Sequence, residues 1–228
     1  MICASFDIGK KNFSFYIEEF TNTSTEHINF KTIYEEDGTL SDTHHTLLNN
    51  IYQNGTKLVL ENTDLTTDCD PSLKLDPKLF KNMTKLLDTF HEYWEICDVF
   101  IIEQQMLFGK MTNPMAVKLG QHCYSYFSIK YGDDKRIIEY PAYNKTQVLG
   151  AAKIATGQTT KLGKNKYKSM TKPQRKKWCI SEAINVLNTR GDTDTIEQIR
   201  KSKKKDDLCD VICQLQSWKW MQLNGEFK

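Results

Sequence analysis

The middle of the chain alternates between helical and extended hydrophobic patterns. Over residues 77–94, apolar side chains recur every three or four positions behind a proline, which predicts a helix. An apolar run at 98–104 predicts a buried strand, residues 113–132 predict a second helix, and residues 136–142 predict another strand. Helices and strands that alternate in this way favour an α/β fold, in which helices cover a sheet.

The N-terminal segment has an extended pattern. Residues 2–8 alternate with the period of a strand, and residues 12–20 resume that character after a short Gly-Lys-Lys turn. The two segments predict a β-hairpin with Asp7 near its bend. Residues 26–34 and 57–65 predict two further short strands.

The last third of the chain is mainly helical by its pattern. Helices are predicted over 143–155, 172–188 and 203–222. The stretch 156–170 is rich in Gly, Thr and Lys, which predicts a mobile loop. The polar stretch 35–55 shows no clear pattern.

Length and composition predict a soluble, single-domain protein. The 228 residues are 39% hydrophobic, and no repeat or composition break divides them, so we expect one domain over residues 1–228. The N-terminus carries charge within a few residues, unlike a signal sequence or a membrane span, which predicts an intracellular protein without a membrane partner. Seven scattered cysteines without C-x2-C spacing predict reduced thiols.

Charge is distributed unevenly along the chain. Residues 1–100 contain 8 Lys and Arg against 17 Asp and Glu, whereas residues 101–228 contain 23 against 12. The basic half is therefore expected to face a polyanion. Its densest basic stretch holds no acid and predicts nucleic-acid contacts that weaken strongly with salt. The predicted contact residues are Lys161, Lys164, Lys166, Lys168, Lys172, Arg175, Lys176 and Lys177.

Carboxylates interrupt three of the apolar segments. Asp7 lies in the first strand, Glu103 ends the strand at 98–104, and Asp207 and Asp210 lie in the last helix. An unpaired carboxylate is costly to bury, so buried ones are protonated, paired or bound to a cation. Each acid by itself also fits a turn cap, a solvated strand end or a helix cap. Several acids together suggest a cation.

The spacing of the last acids favours a shared ligand face. Asp207 and Asp210 are three residues apart on a helix and project from one side, while Asp206 points about 100° away and is a reserve ligand. A site built from carboxylates alone favours Mg²⁺ or Mn²⁺ over Zn²⁺.

The motifs that carry these acids resemble a known family. FDIG on the first strand, IIEQ at a strand end and DDLCD on the last helix are similar to motifs of the RuvC-like Holliday junction resolvases of the ribonuclease H-like superfamily, including those of poxviruses. The stretch IEQQMLFGKMTNPMAVKLGQ also resembles the bacterial RuvC segment in which Glu-Gln precedes a wedge residue and a helix with Ala-x-Lys-Leu-Gly-Gln.

This resemblance implies a fold, a reaction and partners. It implies a ribonuclease H-like α/β fold with a mixed five-stranded sheet flanked by helices, and a homodimer. It implies hydrolysis of branched DNA, especially four-way junctions, into nicks with 5′-phosphate and 3′-hydroxyl ends, with no small-molecule substrate. Two Mg²⁺ ions, for which Mn²⁺ substitutes, would be held by the catalytic residues Asp7, Glu103, Asp207 and Asp210. The expected compartment is the cytoplasm if the source is a large DNA virus, and otherwise the nucleus or mitochondrion.

Two further roles follow from the resemblance and leave alternatives open. A wedge residue that inserts between bases is expected at Met106, Leu107 or Phe108, and Phe108 is counted among the nucleic-acid contacts. Packing of at least two of these three side chains in the core is the competing interpretation. A lysine that helps to neutralise the transition state is also expected. Its candidates are Lys153, Lys176 and Lys177.

Three other functions compete with this interpretation. The same fold can serve as a nucleic-acid-binding factor without catalysis, although such a factor would not need all four acids. Other ribonuclease H-like nucleases act on hybrids, single strands or branched DNA. The D-x-G motif also opens the actin and sugar-kinase ATPase fold, but the chain lacks a second Asp-x-Gly loop and a Gly-rich adenosine motif.

Overall fold

The described residues form two compact units. The first comprises Met1–Thr21 and Thr56–Ala142, and the second comprises Asn22–Gly55 and Tyr143–Lys228. The single-domain assignment stays a prediction. The computed structural model describes residues 1–22, 33–35, 38–73, 76–105, 113–159, 163, 165–168 and 170–225.

Seven strands and eight helices lie within those described ranges. The strands are β1 (Ile2–Asp7), β2 (Phe13–Glu19), β3 (Thr56–Thr63), β4 (Val99–Gln104), β5 (Arg136–Pro141), β6 (Ile154–Thr159) and β7 (Asn165–Lys168). The helices are α1 (Asp42–Gln53), α2 (Lys78–Thr89), α3 (His91–Ile96), α4 (Pro114–Tyr131), α5 (Tyr143–Val148), α6 (Lys172–Arg190), α7 (Thr193–Lys201) and α8 (Lys205–Leu223). No helix in the described part of the chain is long and apolar enough to cross a membrane.

The first unit contains a mixed five-stranded sheet in the order β3-β2-β1-β4-β5. The strand β2 is antiparallel to both β1 and β3, whereas β1, β4 and β5 run parallel to one another. The mixed five-stranded sheet and the α/β class are therefore confirmed.

An aromatic core fills one face of this sheet. Phe6 from β1 and Phe100 from β4 are fully buried there together with Phe127 from α4. The Phe100 and Phe127 rings stack with centroids 3.9 Å apart. Burying each such side chain stabilises the fold by about 1.5–3 kcal/mol. The apolar side chains of β1 and β4 therefore point to this face, and the opposite face is left for polar residues.

The helix predicted over residues 77–94 is two helices in the structure. Phe90 separates α2 from α3 because its backbone, at φ −104° and ψ 19°, is not helical. Beyond this break the Trp94 indole nitrogen donates a hydrogen bond to the Leu87 carbonyl at 2.7 Å. The prediction of one continuous helix was wrong. The apolar side chains keep their spacing of three and four residues across the break at Phe90, so the sequence pattern does not reveal it.

A fully buried helix runs through the second unit. Residues 211–220 of α8 are buried on all sides, as in a helix at the centre of a core. Two of its polar side chains are hydrogen-bonded there: the Lys219 ammonium donates to the Asn54 carbonyl at 2.5 Å, and the Arg190 guanidinium donates to the Gln216 side chain at 3.1 Å. The sequence predicted a helix over residues 203–222, but not its burial on all sides.

The mobile loop predicted over residues 156–170 is wrong for the described residues. The strands β6 and β7 form an antiparallel ribbon here, and the Thr156 hydroxyl donates to the Lys166 carbonyl at 2.9 Å. Tyr167 packs against Gly38 so closely that a Cβ atom at Gly38 would lie 2.6 Å from the ring. This contact comes from a distant part of the chain, which a local loop-forming composition does not reveal.

Three other local predictions need correction or stay untested. The helix predicted over 143–155 ends at Val148, because Gly150 adopts φ +73°. The unassigned stretch 35–55 contains α1, and α7 was not predicted. Most of the strand predicted at 26–34 lies outside the described residues.

A buried histidine ties α1 to its unit. The His44 ring packs against Trp220 with centroids 5.2 Å apart, and its Nε2 atom lies 2.8 Å from the Val148 carbonyl oxygen. That contact requires a proton on Nε2, whereas the buried Nδ1 atom has no hydrogen-bond partner among the described residues. Burial lowers the pKa of His44, and the nearby His45 lowers it further, against the opposing effect of the Val148 bond.

We expect His44 to destabilise the protein in acid. Its folded-state pKa lies below the unfolded value of about 6.5, so its contribution to stability is complete above that pH and is lost as the pH falls below it. Urea unfolding between pH 8 and 5 should show a shallower loss of unfolding free energy in His44→Gln than in the parent chain. Burial also lowers the pKa of His122, so both proteins should lose some stability in acid. The effect of His44 is therefore the difference between the stability curves of the parent chain and of His44→Gln. Parallel curves would contradict the assignment.

Candidate functional site

The two acids of the first unit lie side by side at one end of the sheet. The parallel register of β1 and β4 pairs Phe6 with Ile102, and the next residue in each strand is Asp7 and Glu103. Neighbouring strands are about 4.8 Å apart, so the two backbones are adjacent at these positions. Because Phe6 and Ile102 point into the aromatic core, both carboxylates project from the opposite face.

A polar row crosses the sheet at this level. Asp7 pairs with Ser14 on β2, and Ser14 pairs with Asn62 on β3; on the other side Glu103 pairs with Tyr140 on β5. The Asn62 side-chain amide donates to the Ser14 hydroxyl oxygen at 2.6 Å. The carboxylates therefore lie in a line of hydrogen-bonding groups on rigid strands. The sequence did not identify Ser14 and Asn62 as site residues, because strand register decides that they lie in the same row as Asp7.

A glutamine orients Glu103 where the chain leaves β4. The Gln105 side-chain nitrogen donates to the Glu103 carboxylate at 3.2 Å and to its carbonyl oxygen at 3.4 Å. An amide that contacts both groups limits the rotamers of the acid. Gln105 thus acts as a positioning residue for Glu103, and the sequence signal for it is the Gln-Gln pair that follows the acid.

The acids of the second unit lie at the start of α8. Anionic side chains are favoured there because the unpaired amides of the first helical turn carry partial positive charge. Asp206 forms an ion pair with Lys176 on α6. Burial opposes ionisation of Asp206, but the Lys176 ammonium outweighs it and lowers the pKa of this carboxyl. Asp206 is therefore engaged by a lysine. Its place as a reserve ligand stays a prediction.

Among the acids of α8, Asp207 has the carboxyl whose pKa is shifted most. Its buried Oδ2 atom has no hydrogen-bond partner among the described residues. Burial first, and then repulsion from Asp206 and Asp210, raise the pKa of Asp207 to about 6 against the opposing charges of Lys176 and Lys204. A carboxylate in such surroundings is stabilised by a bound cation, which supplies both an electrostatic partner and a ligand bond.

Asp210 is paired with a buried lysine. The Lys145 ammonium, on α5, lies 3.1 Å from Asp210 Oδ1, and only 7% of Lys145 is exposed. The Cys179 thiol donates to the same oxygen at 3.3 Å. Lys145 was missed in the sequence because a lysine in a short polar helix has no pattern that distinguishes it from a surface residue.

The three candidate lysines have different positions. Lys176 pairs with Asp206, whereas the Lys153 ammonium lies 3.8 Å from the centre of the Tyr34 ring. Lys177 is exposed on α6. Among the described lysines, Lys145 and Lys176 contact acids of α8. The choice among Lys153, Lys176 and Lys177 stays a prediction.

The donors fit a hard divalent cation. Carboxylate oxygens at Asp7 and Glu103, and at Asp207 and Asp210, are the ligand type that Mg²⁺ and Mn²⁺ prefer, and the unpartnered Asp207 oxygen is a suitable donor. Within the described ranges, no three His, Cys, Asp or Glu side chains are grouped to hold a metal ion. The site of four ligands stays a prediction.

The basic residues predicted to contact nucleic acid are exposed where the structure describes them. Lys166 and Lys168 lie on β7, two residues apart and on one face of the ribbon. Lys172, Arg175, Lys176 and Lys177 lie in the first turns of α6. Lys161, Lys164 and the three wedge candidates Met106, Leu107 and Phe108 lie outside the described residues.

The chain is similar to two proteins of invertebrate iridescent viruses. Protein 170L of Invertebrate iridescent virus 6 is 36% identical over 234 residues, which cover 96% of this chain and 89% of that protein. Protein 97L of Invertebrate iridescent virus 3 is 29% identical, with 96% of this chain and 99% of that protein covered. No protein-family model matches the sequence.

Three solved structures share the fold at low sequence identity. Fowlpox virus resolvase in complex with substrate Holliday junction DNA matches with a TM-score of 0.54 at 16% identity, over 96% of this chain and 97% of that one. The yeast mitochondrial Holliday junction resolvase Ydc2 matches with a TM-score of 0.54 at 12% identity, over 97% of this chain and 80% of that one. Thermus thermophilus RuvC matches with a TM-score of 0.50 at 11% identity, over 97% of this chain and 95% of that one. The chain therefore belongs to the family of iridescent-virus proteins that includes protein 170L, and its fold is that of the RuvC-like Holliday junction resolvases.

Proposed function

We propose that this protein is a metal-dependent endonuclease that resolves four-way DNA junctions. The observation that carries the proposal is the pair Asp7 and Glu103, held side by side at the ends of two parallel strands. Fold similarity to solved resolvases supports the substrate class. A fold by itself does not specify an activity, so the acids carry the argument.

Four carboxylates would hold the divalent ions, Mg²⁺ with Mn²⁺ as a substitute. These are Asp7 and Glu103 from the sheet and Asp207 and Asp210 from α8. When bound, ions in such sites supply an activated water and stabilise the charge on the leaving oxygen. The products would be nicks with 5′-phosphate and 3′-hydroxyl ends.

The chain's own residues prepare this chemistry. Gln105 holds the Glu103 carboxylate, which preserves its orientation before substrate arrives. Lys145 holds Asp210 in place through their ion pair. A phosphodiester brings negative charge, and the ammonium groups of Lys145 and Lys176 compensate for part of it.

Symmetry supports a homodimer as the active form. A four-way junction has near two-fold symmetry, and paired nicks in opposed strands require two active sites related by a dyad. We therefore propose that two copies of this chain act on one junction. Sedimentation of the protein on a junction should give a stoichiometry of two chains per DNA.

A panel of labelled substrates tests the proposed activity. A synthetic four-way junction should be cut in Mg²⁺ into two nicked duplexes that DNA ligase reseals, whereas linear duplex, RNA–DNA hybrid and single strands should remain intact. Binding without cutting in Mg²⁺ or Mn²⁺ would instead support a non-catalytic binding factor. Preferential cutting of the hybrid would support a different ribonuclease H-like nuclease.

The exposed lysines of the β6–β7 ribbon should supply affinity. Replacing Lys166 and Lys168 with Ala is expected to weaken junction binding and to reduce the slope of log affinity against log salt by about 2, since each phosphate contact contributes about 0.9. Fluorescence anisotropy at several salt concentrations measures this slope. The control variant replaces Lys81 and Lys85, which are exposed on α2. Equal slopes in the two variants would remove the ribbon from the DNA interface.

A further inference from the structure

A cavity of about 270 Å³ lies beside the turn that joins β1 to β2. Lys10 and Lys11 line it from the turn, and residues of the segment 66–73 line it from the other side. Pro71 and the half-exposed Leu73 supply an apolar wall, and Asp70 supplies a carboxylate. The cavity therefore combines positive charge, an apolar surface and two carboxylates, those of Asp70 and Asp76.

The walls of the cavity are fixed by hydrogen bonds. The Leu65 amide donates to the Lys10 carbonyl at 2.9 Å, which joins the segment to the turn. The Asn82 side chain on α2 donates to the carbonyls of Leu65 and Thr67, each at 2.9 Å. The Thr66 amide and hydroxyl both donate to Asp64. The shape is thus present before a ligand binds, which lowers the entropic cost of binding.

The charged groups in the cavity differ in how they are engaged. Asp76 accepts bonds from the Lys78 and Asp70 amides at 2.8 and 2.6 Å, so both of its oxygens are occupied. Asp70 accepts two bonds from Ser72 on Oδ1 alone. Neither the second oxygen of Asp70 nor the ammonium groups of Lys10 and Lys11 contact a hydrogen-bond or ion-pair partner among the described residues. These three groups can therefore bind a ligand without first breaking a hydrogen bond or an ion pair within the protein.

The cavity is close to the candidate active site. Lys10 follows Asp7 by three residues, and a chain spans at most about 3.6 Å per residue, so their Cα atoms are within about 11 Å. A DNA strand whose scissile phosphate lies at Asp7 can therefore place a neighbouring nucleotide at Lys10 and Lys11.

We propose that this cavity binds one unstacked nucleotide of the DNA strand beside the cut, with its phosphate on Lys10 and Lys11 and an amino-bearing base against Asp70. The proposal rests on the proposed nuclease function for its place in the reaction. A bare phosphate would gain nothing from the apolar wall and would be repelled by Asp70. A base amino group donates to a carboxylate, as acidic side chains accept from the amino group of cytosine in DNA recognition. Thymine has no amino group, so the cavity should discriminate against it.

Nucleotide titrations monitored by NMR test this directly. Deoxycytidine 5′-monophosphate should shift the backbone resonances of Lys10, Lys11, Thr66 and Asp70 and should bind about fivefold more tightly than thymidine 5′-monophosphate, the ratio expected for one hydrogen bond of about 1 kcal/mol. Inorganic phosphate should bind more weakly than either nucleotide.

Two variants sharpen the test. Replacing Lys10 and Lys11 with Ala should remove the response to both nucleotides, whereas replacing Lys81 and Lys85 with Ala should leave it unchanged. Asp70→Asn should reverse the preference towards the thymine nucleotide, because the new amide nitrogen donates where the carboxylate accepted. Asn still accepts the two Ser72 bonds, so the wall should keep its conformation.

The outcomes separate this proposal from the proposed function. Absence of any response at millimolar nucleotide, or equal responses to phosphate and nucleotide, would overturn the cavity assignment even if junctions are cut. A response with the expected base preference would support it even if cleavage of junctions failed, because these titrations require no metal and no turnover.

Discussion

Replacing Asp7 with Asn is expected to abolish cleavage of a four-way junction while leaving junction binding nearly unchanged. The amide keeps the shape of the side chain at the end of β1 but removes the charge that a divalent cation requires. Loss of an outer-sphere partner already costs about 10–100-fold in metalloenzymes, so loss of a direct ligand should cost more than about 100-fold. Gel assays of cutting in Mg²⁺ and anisotropy in EDTA provide the two measurements.

A matched control separates the site from a general effect of charge. Asp133→Asn makes the same chemical change at an exposed position in the same unit, and its cleavage rate should equal that of the parent chain. Thermal melting of both variants should show that each remains folded. Substantial turnover by Asp7→Asn in Mg²⁺ would refute the assignment of Asp7 as a metal ligand.

Replacing Lys145 with Met is expected to lower the stability of the protein, because Lys145 is the buried partner of Asp210. Removing one partner of a fully buried ion pair costs about 3–5 kcal/mol, since the other charge stays uncompensated. The Asp210 side chain is 27% exposed, so water screens part of this charge and we expect a loss of about 1–3 kcal/mol. Urea unfolding in EDTA measures it.

Magnesium provides a readout that a purely structural lysine would not give. If Asp210 is a metal ligand, Mg²⁺ replaces the missing ammonium and should restore part of the lost unfolding free energy, because a ligand that binds the folded state stabilises it. Lys201→Met serves as the control, since its pair with Glu197 is exposed and is worth less than about 1 kcal/mol. Equal stability of Lys145→Met and the parent chain would contradict the buried ion pair. Failure of Mg²⁺ to help the variant would remove Asp210 from the ligand set.

The sequence by itself determined the local elements and the type of chemistry. Alternation with period two located β1 and an apolar run located β4. Asp7 ends the first strand and Glu103 is the penultimate residue of the other, so both could be named as candidates without coordinates. The D-x-x-D spacing on α8 likewise follows from helical geometry alone. These features are local, because strand period, helix face and the cost of a carboxylate in an apolar segment depend only on neighbours in the chain.

Tertiary structure alone decided which distant groups meet. The pairing of β1 with β4 brings Asp7 beside Glu103 across 96 residues, and no local pattern encodes that register. Lys145 was recognisable only once α5 packed near α8, since burial turns an ordinary lysine into the partner of Asp210. The β6–β7 ribbon formed where composition predicted a loop, and its Tyr167 packs against Gly38, more than 120 residues away in the chain. Long-range packing energies exceed local propensities, and they are absent from any short window of sequence.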